Sequence, residues 1–203
     1  MVKKVVVVDL DGTLLSTNTF HKWMIFLLKK TLKYNFIDGL KIIFFSFKRI
    51  FKRITHKQLK FEILKISEQS YYSDSIHTFV EELAIYINRK VLDHMETEDV
   101  ISILATAAPE IYAETIAEKY HFTYCIATPK ISQSEWYENI KEEKKKSLKK
   151  LLNKIGEREI DIVLSDHYDD IPIMNMANTV YLVNGSFETK QKLKETQINF
   201  IEL

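Results

Sequence analysis

The stretch Lys4-Val5-Val6-Val7-Val8-Asp9-Leu10-Asp11-Gly12-Thr13 decides how the rest of the chain is read. Four consecutive valines suit a strand buried on both faces, as in the middle of a parallel sheet. The run ends in two acids flanking Leu10, then a glycine that permits a sharp turn. On a strand end, Asp9 and Asp11 point the same way and Leu10 the other. Two such acids in a dry cleft repel each other unless a cation accompanies them.

Downstream of this strand the pattern turns helical and stays so from about Thr19 to residue 98. Phe20–Leu32 is an expected amphipathic helix with Trp23, Met24 and Leu27 inward. In residues 40–54, Leu40, Ile43, Phe44, Phe47, Ile50, Phe51 and Ile54 repeat at helical spacing, with Lys41, Lys48 and Lys52 assigned to the opposite side. His56–Ser67 and Ser75–Met95 read as two further helices. Buried-strand patterns return at Val100–Ala105, Phe122–Ala127, Ile160–Leu164 and Val180–Val183, the last of these expected to be the final strand. Between them lie a helix with Pro109 suited to its first turn, a lysine-rich helix over Glu138–Ile155, and a helical turn at Met174–Ala177. Strands alternating with helices predict an α/β fold, a Rossmann-like parallel sheet with right-handed crossovers, interrupted by an all-helical insert. The expected division is 1–15 and 98–203 for the catalytic core and 16–97 for the helical cap. Functional groups then gather at the carboxyl ends of the strands.

Three such ends carry polar residues. Beside Asp9-Leu10-Asp11 stands Thr106, followed by Ala107 and Ala108, whose small side chains leave backbone amides open at a helix start, a setting for phosphate. The third is Ser165-Asp166-His167-Tyr168-Asp169-Asp170. Carboxylates without cysteine or metal-spaced histidine favour a hard cation such as Mg²⁺. Taken singly, the signals are weaker. An Asp-x-Asp strand end also fits a calcium loop or a helix cap, and Thr106 alone reads best as a plain N-cap. Asp169 is expected to be a solvated neighbour of Asp170, and His21, His56, His77, His94 and His121 to be structural. Cys125 is expected to be a core residue. Trp136 and Tyr137, after Ser132-Gln133-Ser134, suit a flap or edge packing, with packing favoured.

In combination, Asp9-Leu10-Asp11-Gly12-Thr13-Leu14, Thr106, a lysine, and Ser165-Asp166 followed by Asp170 resemble the four ordered motifs of the haloacid dehalogenase superfamily. The helical insert resembles the C1 cap of its subfamily IB, the phosphoserine-phosphatase-like hydrolases. Its texture, in hydrophobic and aromatic character only, is similar to the cap of bacterial phosphatidylglycerophosphatase C, although the present insert is more charged. Ser165 stands where glycine is usual and is expected to be tolerated; His167 reads as a polar surface residue rather than a ligand, the alternative being an effect on the surroundings of the metal. The resemblance implies a phosphoric monoester hydrolase. Asp9 would be the nucleophile that becomes an aspartyl-phosphate, and Asp11 the general acid and base. Asp9, the Asp11 carbonyl and Asp166 would hold Mg²⁺, with Asp170 binding a metal water or orienting the lysine. Leu10, Asp11, Thr106, Ala107 and the lysine would bind the phosphate. Relatives place that lysine four residues before a packing leucine, which favours Lys144 with Leu148, Lys141 and Lys145 being fallbacks.

Charge is unevenly spread. The net charge is +1, but Phe20–Lys65 holds twelve Lys/Arg against two acids, a local +10 inside an otherwise acidic chain. One reading of this basic, aromatic insert is helices packed on each other with solvated lysines. Others are steering of an anionic substrate, peripheral membrane contact through residues 40–54, and, least favoured, nucleic-acid binding. Expected partners are therefore a small phosphorylated metabolite or a lipid head-group phosphate, with no nucleic acid. The alternatives to hydrolysis are phosphotransfer or mutase chemistry, and a catalytically silent binding module. The single cysteine and the absence of a long apolar leader point to a cytoplasmic, or membrane-peripheral, location.

Overall fold

The computed structural model describes residues 4–95, 99–132, 136–157 and 159–203. The valine run forms strand β1 (Lys4–Val8), which lies inside a six-stranded sheet of order β3-β2-β1-β4-β5-β6. Its partners are β2 (Val100–Pro109) and β4 (Ile160–Ser165), followed outward by β3 (Tyr124–Thr128) on one side and β5 (Ala177–Leu182) and β6 (Ile201–Glu202) on the other. Every pairing is parallel, with Val8 opposite both Leu104 and Leu164. All carboxyl ends therefore open on one edge.

The alternation along β1 explains why valine fills every position. Val6 and Val8 face one core with Leu104, Ile162 and Leu164, and Val5 and Val7 face the other with Ile103 and Val163. The second core is closed by helix α8 (Glu142–Ile155) through Leu148 and Leu152 and by α10 (Phe187–Glu195) through Leu193. The first is closed by α7 (Glu110–Lys119) through Tyr112 and Ile116, and by helices that the chain inserts between β1 and β2.

These are α1 (Thr19–Tyr34), α2 (Phe36–Ile50), α3 (His56–Ser67), the single turn α4 (Ser70–Ser73), α5 (Ser75–Leu83) and the short α6 (Arg89–Leu92). Trp23 of α1 sits fully buried at their centre. It packs on Phe26, Phe79 and Tyr112 and donates its indole N–H to Ser67 Oγ at 2.8 Å. The apolar interior of these helices runs continuously into that sheet face. A close approach ties α1 to α2: a Cβ on Gly39 would meet Thr31 Oγ1 at 2.6 Å. No helix among the described residues is long and apolar enough to cross a membrane.

Several elements differ from the sequence reading, each for a tertiary reason. Ser75–Met95 is not one helix. It breaks after Leu83 because Tyr86 O and Asn88 N are taken by Ser16 N and Leu14 O, which turns the chain into a bridge between Leu15 and Ile87. Helix α8 begins at Glu142 rather than 138: Lys141 takes a left-handed φ of 54°, and Asn139 is drawn to the strand ends. The turn read at Met174–Ala177 is instead α9 (Ile171–Met174), since Ala177 already pairs with Ile160 in β5. The strand read at Phe122–Ala127 begins at Tyr124. β5 is not the last strand, because two residues of β6 add to its free edge. The strand expected at 100–105 runs on to Pro109, which ends β2 instead of entering the first turn of α7. Of the readings left open for the basic insert, helices packed on each other does not hold for α2, whose repeat of Leu40, Ile43, Phe44, Phe47, Ile50 and Phe51 faces solvent while Ile42 and Asp38 turn inward. The expected boundary at residues 97 and 98, and Gln133 and Ser134 of the flap reading, lie outside the described residues.

Candidate active site

Asp9 follows β1 directly. Because β1 is flanked by β2 and β4, the ends of those strands bring Thr106 and Asp166 to either side of it. A cleft of about 250 Å³ results, with Asp9, Asp11, Thr106, Ala107, Lys144 and Asp166 in its lining, along with Asn18, Ile140, His167, Asp169 and Asp170. The chain reverses beyond Asp9 in a tight turn in which Leu14 N donates to Asp9 O at 3.2 Å and Leu15 N to Leu10 O at 2.9 Å. Leu10 itself is buried in the core. Gly12 makes the turn feasible twice over. Its φ is +81°, and a Cβ there would lie 2.2 Å from Asp166 Oδ2. Only a hydrogen at position 12 leaves room for that carboxylate beside the first strand.

Three lysines fitted the sequence pattern, and geometry separates them. Lys144 Nζ, 2% exposed, lies 2.8 Å from Asp9 Oδ1 and 2.6 Å from Asp170 Oδ1. Lys141 pairs instead with Asp169 at 3.3 Å on the rim, and Lys145 with Glu142 at 3.9 Å. Lys144 is delivered by the first turn of α8, and Leu148, one turn on, anchors it to the sheet. Asp170 has its second oxygen taken by Ser165 Oγ at 2.8 Å. Both of its oxygens thus have a partner in the protein, Lys144 on one and Ser165 on the other. Ser165 is therefore a working hydrogen-bond donor. His167 turns its Nδ1 to the backbone N–H of Asp169 at 3.1 Å, capping the short turn that presents Asp170.

Burial raises the carboxyl of Asp9 to about 8. The Lys144 ammonium pulls it back, and Asp170 and Asp166 add to the rise. Asp166 is likewise lifted, to about 6, first by burial. Asp11 is pushed above the ordinary carboxylate range by burial, opposed by the Thr19 backbone N–H, which donates to its Oδ1 at 2.8 Å. An Asp11 that holds a proton readily suits proton donation.

These residues fit Mg²⁺ on the chemistry of the donor set. The cleft lining is dominated by oxygen donors, five carboxylates around one buried lysine, and the one imidazole in it has its Nδ1 taken by the Asp169 N–H. No three His, Cys, Asp or Glu side chains among the described residues form a self-sufficient cage. A cation bound here takes part of its coordination from backbone oxygen and water, the habit of Mg²⁺.

Thr106 does not open a helix, as expected, but sits in an irregular stretch of β2 where the pairing with β3 shifts between Ala105 and Pro109. The irregularity re-aims its hydroxyl, which accepts the Ala108 N–H at 2.9 Å. That amide is therefore occupied. Residues not singled out from sequence support the strand end. Thr128 Oγ1 donates to Ala107 O at 2.7 Å and accepts Asn139 N–H, and the Asn139 amide donates to Thr106 O at 2.9 Å. From α3, Lys60, 3% exposed, donates to Ala107 O at 3.0 Å and to Glu138, and His56 Nδ1 lies 3.5 Å from the same Glu138 oxygen. Burial raises the Glu138 carboxyl, but the His56 hydrogen bond and the Lys60 charge outweigh this and hold it at about 2. The buried end of Lys60 was visible in sequence only as one of the twelve Lys/Arg residues of Phe20–Lys65. Trp136 packs edge-on to Phe61 of α3 and donates to Pro129 O at 3.0 Å, which fits the packing reading. Cys125 is half-buried with its thiol pushed up to about 12 by burial.

Comparison with known proteins places this geometry. A family model described as haloacid dehalogenase-like hydrolase matches residues 6–175. No functionally curated protein matches. Among solved structures, a Bordetella pertussis Tohama I protein of unknown function is 17% identical over 99% of each chain, with a TM-score of 0.77. A putative phosphatase from Clostridium difficile is 18% identical, covering 100% of this chain and 95% of that one, with a TM-score of 0.59. A phosphoserine phosphatase bearing a phospho-aspartyl intermediate analogue is 13% identical over 95% and 91%, with a TM-score of 0.58. At these identities the likeness is one of fold.

Proposed function

Because the chain belongs to the haloacid dehalogenase-like hydrolase family, we propose that it hydrolyses a phosphomonoester with Mg²⁺ through an aspartyl-phosphate on Asp9. The observation that carries this reading is the Lys144 ammonium, buried and shared between Asp9 and Asp170 at the meeting point of three strand ends. A lysine so placed fixes one Asp9 oxygen and leaves the other toward the cleft, aimed at an incoming phosphorus.

In this reading Asp9, the Asp11 carbonyl and Asp166 hold Mg²⁺, which when bound offsets the repulsion between carboxylate and phosphate. Asp9 attacks phosphorus in line as the bond to the leaving oxygen breaks, and Asp11 gives that oxygen its proton. Asp11 then takes a proton from water as the water attacks the same phosphorus, which releases inorganic phosphate and restores Asp9. Thr106, the backbone around Leu10 and Ala107, and Lys144 meet the phosphoryl oxygens as charge develops on them. Residues 1–15 and 98–203 act as the catalytic body and 16–97 as the cap. Lys60 of the cap and Glu138 of the body meet behind the cleft lining at Ala107 O, and so tie the cap to the strand end that carries Thr106. The cleft volume suits a small phosphorylated metabolite.

Purified protein with Mg²⁺ is expected to hydrolyse p-nitrophenyl phosphate, and Asp9→Asn to reduce turnover by about three orders of magnitude or more while leaving the circular-dichroism spectrum unchanged. Wild-type turnover in that variant overturns the assignment.

A further inference from the structure

The exposed face of α2 is the anomaly of this surface. Phe44, Phe47, Ile50 and Phe51 are 53%, 56%, 71% and 69% exposed, and Leu40 and Ile43 continue the same stripe. Single exposed apolar residues are ordinary, but a contiguous aromatic and aliphatic stripe along a helix is the mark of a contact surface. The helix is not misplaced. Its inner side is fixed by buried Ile42 and by Asp38, which accepts from Tyr71 at 2.6 Å and Lys41 at 3.0 Å, and by the Gly39–Thr31 approach. The apolar side therefore points outward by construction.

What covers it is indicated by the charge around it. Lys48, expected on the side opposite the stripe, instead lies over the Phe44 ring at 4.5 Å, and exposed Lys52 and Arg53 follow directly after the helix. The surrounding segment, Phe20–Lys65, carries +10 while the rest of the chain carries −9. A two-fold contact between copies puts the same patch on both sides and would bring two such cationic rims together. An anionic bilayer is complementary to both parts of the surface. The apolar stripe enters the acyl boundary, the lysines meet the headgroups, and the acidic remainder of the chain is repelled, which fixes the orientation. At 15 residues the helix is about 22 Å long, too short to span the hydrocarbon core but suited to lying in its interface.

We propose that α2 is an interfacial helix that docks this protein on an anionic lipid surface. The inference does not depend on the catalytic assignment, and its test uses no catalytic residue. The full chain is mixed at low and high salt with vesicles of phosphatidylcholine alone, or of phosphatidylcholine with phosphatidylglycerol, and sedimented. Three proteins are compared: wild type, Phe44→Ser/Phe47→Ser, and Lys48→Glu/Lys52→Glu. All substituted side chains are at least partly exposed, so folding is checked by thermal melting and by circular dichroism, both expected at wild-type levels. Wild type is expected to sediment with the anionic vesicles at low salt, and each variant to bind about tenfold or more weakly. Absence of binding to anionic vesicles, or equal binding by wild type and the Phe variant, overturns the proposal. So does a concentration-dependent dimer in sedimentation velocity that the Phe substitutions abolish while vesicle binding is unaffected, since the face then belongs to a second copy of the chain.

Discussion

Lys144 illustrates how much of a site can hang on one side chain. It is buried among carboxylates, and burial alone would favour its neutral form; Asp170 and Asp9 reverse that and hold it firmly charged. Lys144→Met is expected to cut turnover by about two to three orders of magnitude, since the charge facing the phosphoryl group is gone. It is also expected to cost about 3 kcal/mol in urea denaturation, because Asp9 and Asp170 are left without a cation. Lys145→Met, one residue on and paired with exposed Glu142, is expected to change neither. The Glu138 carboxyl makes a pH prediction. It is held below its ordinary value, so its pairing with His56 and Lys60 stabilises the fold fully above pH 4.5, and the contribution is lost as pH falls toward 2. Glu138→Gln is expected to flatten that acid limb of the thermal-midpoint profile while costing about 2 kcal/mol at neutral pH.

Among the elements, the pair α1 and α2 depends on one missing side chain. With Thr31 Oγ1 at 2.6 Å from where a Cβ would stand, Gly39→Val is expected to push the helices apart and to destabilise the protein by about 1–3 kcal/mol, read by chemical denaturation. Turnover on a small phosphate should persist in the folded fraction, because no cleft residue lies on α2. The pattern of α2 also shows the limit of helical periodicity. The spacing identifies a helix with an apolar stripe, but which way the stripe faces depends on the neighbours. Asp38 and Gly39, a buried acid and a contact glycine, mark the inner side, and neither is apolar enough to announce it. The break after Leu83 is similar, since the helical pattern there competes with hydrogen bonds from residues 14–16, some seventy positions away.

For the whole molecule, the carboxyl edge of the sheet concentrates negative charge that the protein alone does not neutralise. Asp9 near 8 and Asp166 near 6 are both raised, so in metal-free protein they favour the fold while protonated, and this contribution falls away as pH climbs from about 4 toward 8. Mg²⁺ must displace those protons. Its addition is therefore expected to raise the melting temperature, and more at pH 8 than at pH 5.5, with a gain of about 2.7 kcal/mol at a hundred times its dissociation constant. Calorimetry in buffers of different ionisation enthalpy should show proton release on binding. No shift with Mg²⁺ at either pH would remove the cation from the proposed reaction.

The parallel α/β sheet is legible in the chain alone, because four valines ending in Asp9-Leu10-Asp11-Gly12 have few other stable placements. So is the family, since the order of the strand-end motifs is a property of the chain. Only the packing of distant segments shows which lysine meets Asp9, that the same lysine also meets Asp170, that Lys60 and Glu138 come together at Ala107 O, and that the stripe of α2 faces outward. Each of these depends on which residues far apart in the chain come within a few ångströms of one another, and a local pattern carries no record of that distance.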